Sequence, residues 1–170
     1  MNDVCIDLII STIIENFGSE AAFYRDRLGV SPQSWENWKK GFSNLSPEEM
    51  QKIKNLFSDY EWTLLQKVLR QTIIYPEKRT IAVAEFRRMK TKIARQWLNI
   101  GLATVEILDK KEENDAGQYL DMRVSIDYGE WGFDDILNFR LPAYIQQQID
   151  NEQVALLDWV NDKLEETYNS

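Results

Sequence analysis

Apolar residues recur along this chain with two different periods, and the change of period organises it. In the opening stretch Ile6, Ile9, Ile10, Ile13, Ile14 and Phe17 fall close to helical spacing. A helix over Val4 to Phe17 is therefore expected, stopped by Gly18. Ser19 is a natural N-cap for a second short helix reaching about Leu28, with Glu20 suited to its first turn and Gly29 ending it. Ser31 then caps a helix from Pro32 to about Lys40, proline taking the first position, where a missing N–H costs nothing, and Gly41 closing it. Ser46-Pro47-Glu48-Glu49 has the form of a capping box. It opens a helix on which Met50, Ile53, Leu56 and Phe57 share a face. Trp62, Leu65, Val68, Leu69 and Ile73 predict one more, over about 61–73.

Tyr75-Pro76 is the natural internal boundary, because the residue before a proline resists helix. A long helix is expected over about 77–99, with Ala82, Phe86, Met89, Ile93, Trp97 and Ile100 inward and Arg87, Arg88, Lys90, Lys92 and Arg95 on the other face. After Gly101 the period falls to two. Ala103, Val105 and Ile107 alternate with polar residues, and so do Leu120, Met122, Val124, Ile126 and Tyr128, with a polar stretch at 111–118 between them, its turn at Asn114–Gly117. Two such strands around a polar loop read as an antiparallel hairpin. A turn at Gly129–Gly132 leads to a third strand carrying Leu137, Phe139 and Leu141. A short helix after Pro142 and a last helix over about 152–168, striped by Val154, Leu157, Val160 and Leu164, complete the pattern.

Charge sharpens this division. The net charge of −8 is uneven: residues 67–105 carry nine Lys/Arg against two Asp/Glu (+7), whereas residues 106–170 carry five against sixteen (−11). The basic helix is a candidate to lie along DNA, or to pair with the acidic C-terminal region of its own chain or of a partner. There is no histidine, which removes histidine-based triads, cysteine–histidine dyads and histidine-built zinc sites. One cysteine, Cys5, permits no disulfide within the chain and fits a buried structural thiol in a reducing compartment. The most apolar stretch, Val4 to Ile14, is broken by Asp7 and too short to span a bilayer, so a cytoplasmic protein without membrane contact is expected. Asp121, Asp127, Asp134 and Asp135 supply carboxylates, but only their convergence in one cleft would raise an enzyme reading.

Residues 19–57 carry a more specific signal. Leu28-Gly29-Val30-Ser31, Trp38-x-x-Gly41 and Ser46-Pro47-Glu48 stand in register, with a twelve-residue step from Gly29 to Gly41. This segment resembles the lambda repressor/Cro-like (XRE-type) helix-turn-helix family over residues about 5–60. The resemblance implies an all-helical bacterial or phage DNA-binding domain in which Pro32–Lys40 is the recognition helix. In that geometry Gln33, Ser34 and Asn37 meet base edges, while Ser31, Lys39 and Lys40 contact phosphate. Trp35 and Trp38, three apart, lean together into the core, and Val30 plugs between the two helices. The chain departs from the family where Glu20-Ala21-Ala22 replaces its frequent glutamine, and where Arg25 stands near its small alanine.

The reading is thus an α+β protein. Residues 1–75 form a lambda repressor-like helix-turn-helix domain, and residues 76–170 a long helix, an antiparallel β-meander and C-terminal helices for oligomerisation or sensing. The expected function is a non-enzymatic transcriptional regulator binding double-stranded DNA as a homodimer, with no cofactor or metal. The alternative is a protein-interaction module that keeps the fold without DNA affinity, motivated by the acidic net charge and the missing glutamine.

Overall fold

The first helix, α1 (Asp3–Phe17), begins where the Asn2 side chain accepts the Val4 N–H at 2.7 Å and ends at Gly18, whose φ of +81° lets its own N–H reach the Ile14 carbonyl. These coordinates are a computed structural model, which describes residues 2–108, 119–150 and 156–169. Val4, Cys5, Ile6, Leu8, Ile9, Thr12 and Ile13 of α1 are buried, and Ile14, expected on the same face, is nearly half exposed. Burial pushes the Cys5 thiol up from its ordinary range, the nearby N-terminus opposing, so it stays protonated as a packing group.

Helix α2 (Glu20–Phe23) starts on the Ser19 side chain and runs directly into one π turn over Tyr24–Leu28. Helix α3 (Pro32–Lys39) and helix α4 (Pro47–Lys54) follow, the latter opened by the complete Ser46/Glu49 capping box. Helix α5 (Asp59–Ile74) passes into a 3₁₀ segment over Pro76–Ile81 and then helix α6 (Ala82–Asn99). The expected long helix is therefore tighter in its first residues, as the proline's fixed φ favours.

The chain separates into two compact units. One comprises Met1–Ser58 with Trp62–Phe86, the other Asp59–Glu61 with Arg87–Ser170. The first contains α1 to α4 and most of α5, with Leu8, Ile9, Ile13, Phe23, Trp35, Ile53 and Leu65 almost wholly inaccessible. The second is built on a sheet of β1 (Thr104–Leu108), β2 (Tyr119–Ile126) and β3 (Asp135–Pro142), paired antiparallel in the order β1-β2-β3. Val124 stands opposite Val105 and Leu137, and Met122 opposite Ile107 and Phe139, so the predicted alternation puts one apolar face inward. That face packs with Ala94 of α6 and with Ile145, Trp159, Val160, Leu164 and Tyr168 of helices α7 (Ile145–Asp150), α8 (Leu156–Asp162) and α9 (Leu164–Tyr168). The mixed α+β class is as expected. The polar turn at 114–117, the start of the predicted last helix and Val154 lie outside the described residues.

Two sequence expectations about faces are corrected here. The final helix is interrupted at Lys163 (φ −123°), although backbone bonds from Lys163 to Trp159 and from Thr167 to Lys163 continue across the break. Leu157 is half exposed, and Trp159, absent from the predicted stripe, is fully buried. On α6 the inward positions include Lys90 and Thr91, whereas Met89, Ile93 and Trp97 are only partly covered and Ile100, just past the helix, is exposed.

The reason lies at the outer edge of β3. Asn138 donates its N–H to Glu61 Oε2 at 3.0 Å, and its carbonyl accepts from Lys90 Nζ at 2.6 Å. Lys90 also donates to the Tyr168 hydroxyl at 2.9 Å and pairs with Glu61 at 3.2 Å, both charged side chains being about 5% exposed. A buried ion pair thus takes the place of a fourth strand, offering an acceptor and a donor where an edge would otherwise present bare peptide groups. The basic helix also reaches acidic and carbonyl groups of its own chain: Arg95 pairs with Glu165, and Arg87 donates to the Tyr168 carbonyl.

Candidate nucleic-acid interface

The turn between α2 and α3 is made by backbone geometry. The π turn leaves the Tyr24 carbonyl accepting both the Gly29 and Val30 N–H groups, the latter at 3.0 Å, and Gly29 holds φ +74°. A side chain at that φ is strained, which is why glycine suits it. Arg25 lies within this wider turn and is exposed. Val30 is half-buried rather than a full plug.

Helix α3 is anchored from one side. Trp35 and Trp38 are 1% and 3% exposed, with ring centroids 4.9 Å apart. Trp35 also meets the rings of Phe23 at 6.1 Å and Tyr24 at 5.5 Å. Because both indoles point inward three residues apart, the N-terminal turn of the helix is left outward, and Ser31, Pro32, Gln33 and Ser34 are exposed. Asn37 is half-buried one turn further on.

The polar residues of this tip are organised among themselves. Ser31 caps the helix: its hydroxyl accepts the Ser34 N–H at 3.1 Å and donates to the Ser34 hydroxyl at 3.0 Å. Gln33 Nε2 donates to Asn37 Oδ1 at 2.9 Å. That bond uses one Gln33 amide hydrogen and the Asn37 side-chain oxygen, leaving the Gln33 carbonyl, its second amide hydrogen and the Asn37 amide group out of this contact. Lys40 is exposed.

Lys39 is placed differently. Its ammonium lies 2.8 Å from Glu20 and 3.2 Å from Glu36. Glu20 also accepts the Trp35 indole N–H at 2.9 Å. The Glu20 carboxylate therefore holds α3 to α2 and neutralises one lysine of the six expected contacts. Local spacing reads Glu20 only as an acid suited to a helix's first turn, because partners 15 and 19 residues away are invisible to it.

Burial penalises the Glu20 charge, but hydrogen bonds from Lys39 and Trp35 and the nearby ammonium outweigh it, holding the carboxyl below its ordinary value. The Glu20 hydrogen bond in turn raises Lys39, against the cost of burial. A lowered acid stabilises the fold above its unfolded value and loses that contribution as pH falls through the folded value. The stability difference between Glu20→Gln and wild type, read from urea midpoints, is accordingly expected to shrink as pH drops from about 6 to about 3. A pH-independent difference would contradict the pairing.

The remaining carboxylates do not converge. Asp121 is paired across the sheet with Arg140 at 3.1 Å, whereas Asp127, just after β2, and Asp135, the first residue of β3, lie at the opposite end of that strand pair, binding the Gly129 N–H and the Tyr128 hydroxyl. Among the described residues no group of three acidic or cysteine side chains is placed to hold a metal ion, and no helix is long and apolar enough to cross a membrane. No protein-family model, curated protein or solved structure matches the chain.

Proposed function

We propose that the first unit is a lambda repressor/Cro-like helix-turn-helix domain that binds duplex DNA, and that the chain is a non-enzymatic transcriptional regulator working as a pair of copies. The observation that carries this reading is the outward N-terminal turn of α3. Its two tryptophans hold it from behind while Gln33 and Ser34 are exposed and half-buried Asn37 is bonded to Gln33. A helix tip of this kind enters a major groove with its first residues against base edges. Ser31 and Lys40 flank it toward phosphate, and Lys39 comes into play only by leaving Glu20.

Selection against random duplexes at low salt is expected to return a preferred sequence. Gln33→Ala and Asn37→Ala should each weaken binding to it by about 1–3 kcal/mol and relax preference at one position. Lys40→Ala should weaken binding to all sequences alike and flatten the salt dependence by about one unit of slope. Absence of binding at low salt, or equal loss on all sequences for Gln33→Ala, would sink the proposal.

The second reading, a protein-interaction module with this fold, is favoured by one observation: Lys39 is already committed to two carboxylates. It predicts that Glu20→Gln with Glu36→Gln, which frees that lysine of both carboxylates, creates DNA affinity the wild type lacks. The DNA-binding reading predicts that the variant strengthens an affinity already measurable.

A further inference from the structure

Two exposed surfaces carry opposite charge and matching apolar residues. The first is the turn between β2 and β3. Within it Trp131 is 88% and Phe133 87% exposed, flanked by the exposed carboxylates of Asp127, Glu130 and Asp134. The turn is built rather than loose. The Tyr128 hydroxyl donates to Asp135 at 2.7 Å, Asp127 takes the Gly129 N–H at 2.7 Å, and the Gly132 N–H closes on the Gly129 carbonyl at 3.1 Å. Phe133 itself holds φ +59°, a conformation an aromatic residue rarely adopts, and its ring is still left in water. No lysine or arginine lies between Asp127 and Asp135.

The second surface is the end of α5 and the residues after it. Ile73, Ile74 and Tyr75 are 64%, 68% and 50% exposed, with Arg70 shortly before them in the chain and Lys78 and Arg79 shortly after, Arg79 also bordering a cavity that it shares with Asp3 and Asp7 of α1. Lys78 sits over the Tyr75 ring at 5.3 Å. No acidic residue lies between Arg70 and Pro76, and the exposed Glu77 that follows is outnumbered by Arg70, Lys78 and Arg79.

We propose that the acidic aromatic turn of one copy docks on the basic apolar patch of a second copy. Indole and phenyl rings then cover the isoleucines, and the three carboxylates meet Arg70, Lys78 and Arg79. A tryptophan and a phenylalanine each bury about 150–250 Å². One such contact is small. Under two-fold symmetry each copy gives both halves, and the doubled contact reaches the range of specific interfaces, about 1,200–2,000 Å² in total. This names the surfaces of the pairing invoked above and deepens that reading, but it is tested without DNA, so either can fail alone.

The experiment is sedimentation of the full chain, with circular dichroism confirming that each variant is folded. Wild type is expected to self-associate at concentrations up to about 0.1 mM, more weakly as salt rises. Trp131→Ser with Phe133→Ser should weaken association by at least about tenfold. Arg70→Glu with Arg79→Glu should do the same. All four positions are solvent-exposed, and single replacements serve where a double variant is unfolded. Because each variant keeps the half the other has lost, an equimolar mixture restores one of the two contacts and should associate more tightly than either variant alone, though less tightly than wild type. A monomeric wild type, variants that associate like wild type, or a mixture that associates no better than the separate variants would each overturn the proposal. Loss of association with retained half-site binding would leave the DNA reading intact.

Discussion

Replacing Lys90 with methionine is expected to cost about 3–5 kcal/mol of stability, because the change takes the Lys90 ammonium away from the buried Glu61 carboxylate. The geometry explains the size. Lys90 spends its three ammonium donors on Glu61, the Asn138 carbonyl and the Tyr168 hydroxyl, all away from solvent. Its cation also lies about 5 Å from the rings of Phe139 and Tyr168. Glu61→Leu should be comparably damaging for the mirror-image reason. The double variant is expected to be less destabilised than the two single costs together, since neither charge is then stranded. It will not regain wild-type stability, because the N–H and carbonyl of Asn138 both lose partners, at about 1–3 kcal/mol for each buried group. The double variant should also aggregate more readily, its β3 edge now being open. Urea midpoints for the four species give the coupling. Single variants within about 1 kcal/mol of wild type would mean that the pair is solvated rather than buried.

This pair also shows why parts of the fold were legible and others were not. Caps and strand alternation are local, so α1, α3, α4 and the three strands could be read from spacing and from residues such as Ser31, Ser46 and Val124. The inward face of α6 could not. Helical periodicity assumes that charged residues face water, and Lys90 is inward only because Glu61, in the first turn of α5, meets it on the edge of a strand far along the chain. Trp159 was missed for a related reason. Its neighbours Leu157 and Val160 outline a plausible stripe by themselves, and only the sheet shows which side must be covered.

The candidate interface was legible in its outline and not in its wiring. Glycines at the two ends of the segment and a Ser-Pro start fix the helix, and tryptophans three apart fix which way it faces. The π turn has no sequence mark, since the one extra residue it accommodates shows only as Arg25 standing near the place of the family's alanine. Lys39 shows the same limit. It reads as a phosphate contact from charge alone, yet the fold supplies it with Glu20 and Glu36. The affinity expected of this surface thus depends on whether DNA phosphate or Glu20 holds Lys39, a competition that screening salt shifts against both.

Trp35→Ala is expected to be the most damaging single change in the first unit, costing about 3–5 kcal/mol. The side chain is buried to 1% and touches three aromatic rings, and no neighbouring side chain can fill an indole-sized space without leaving its own contacts. Against a total stability of about 5–15 kcal/mol, such a loss leaves the unit marginal or unfolded. Trp35→Phe separates packing from hydrogen bonding. It keeps a ring but removes the N–H that Glu20 accepts, and should cost less than the alanine change, with about 1 kcal/mol of that cost from the hydrogen bond. The two variants also separate the fold from its use. Trp35→Phe leaves Gln33 and Asn37 on an intact outward turn, so duplex binding should survive nearly unchanged. Trp35→Ala should lose near-ultraviolet circular dichroism and duplex binding together, since the tip points outward only because this indole is held inward. Binding that persisted in a Trp35→Ala protein with a collapsed urea midpoint would mean that the groove is entered by some other part of the chain, and the assignment of α3 would fail with it.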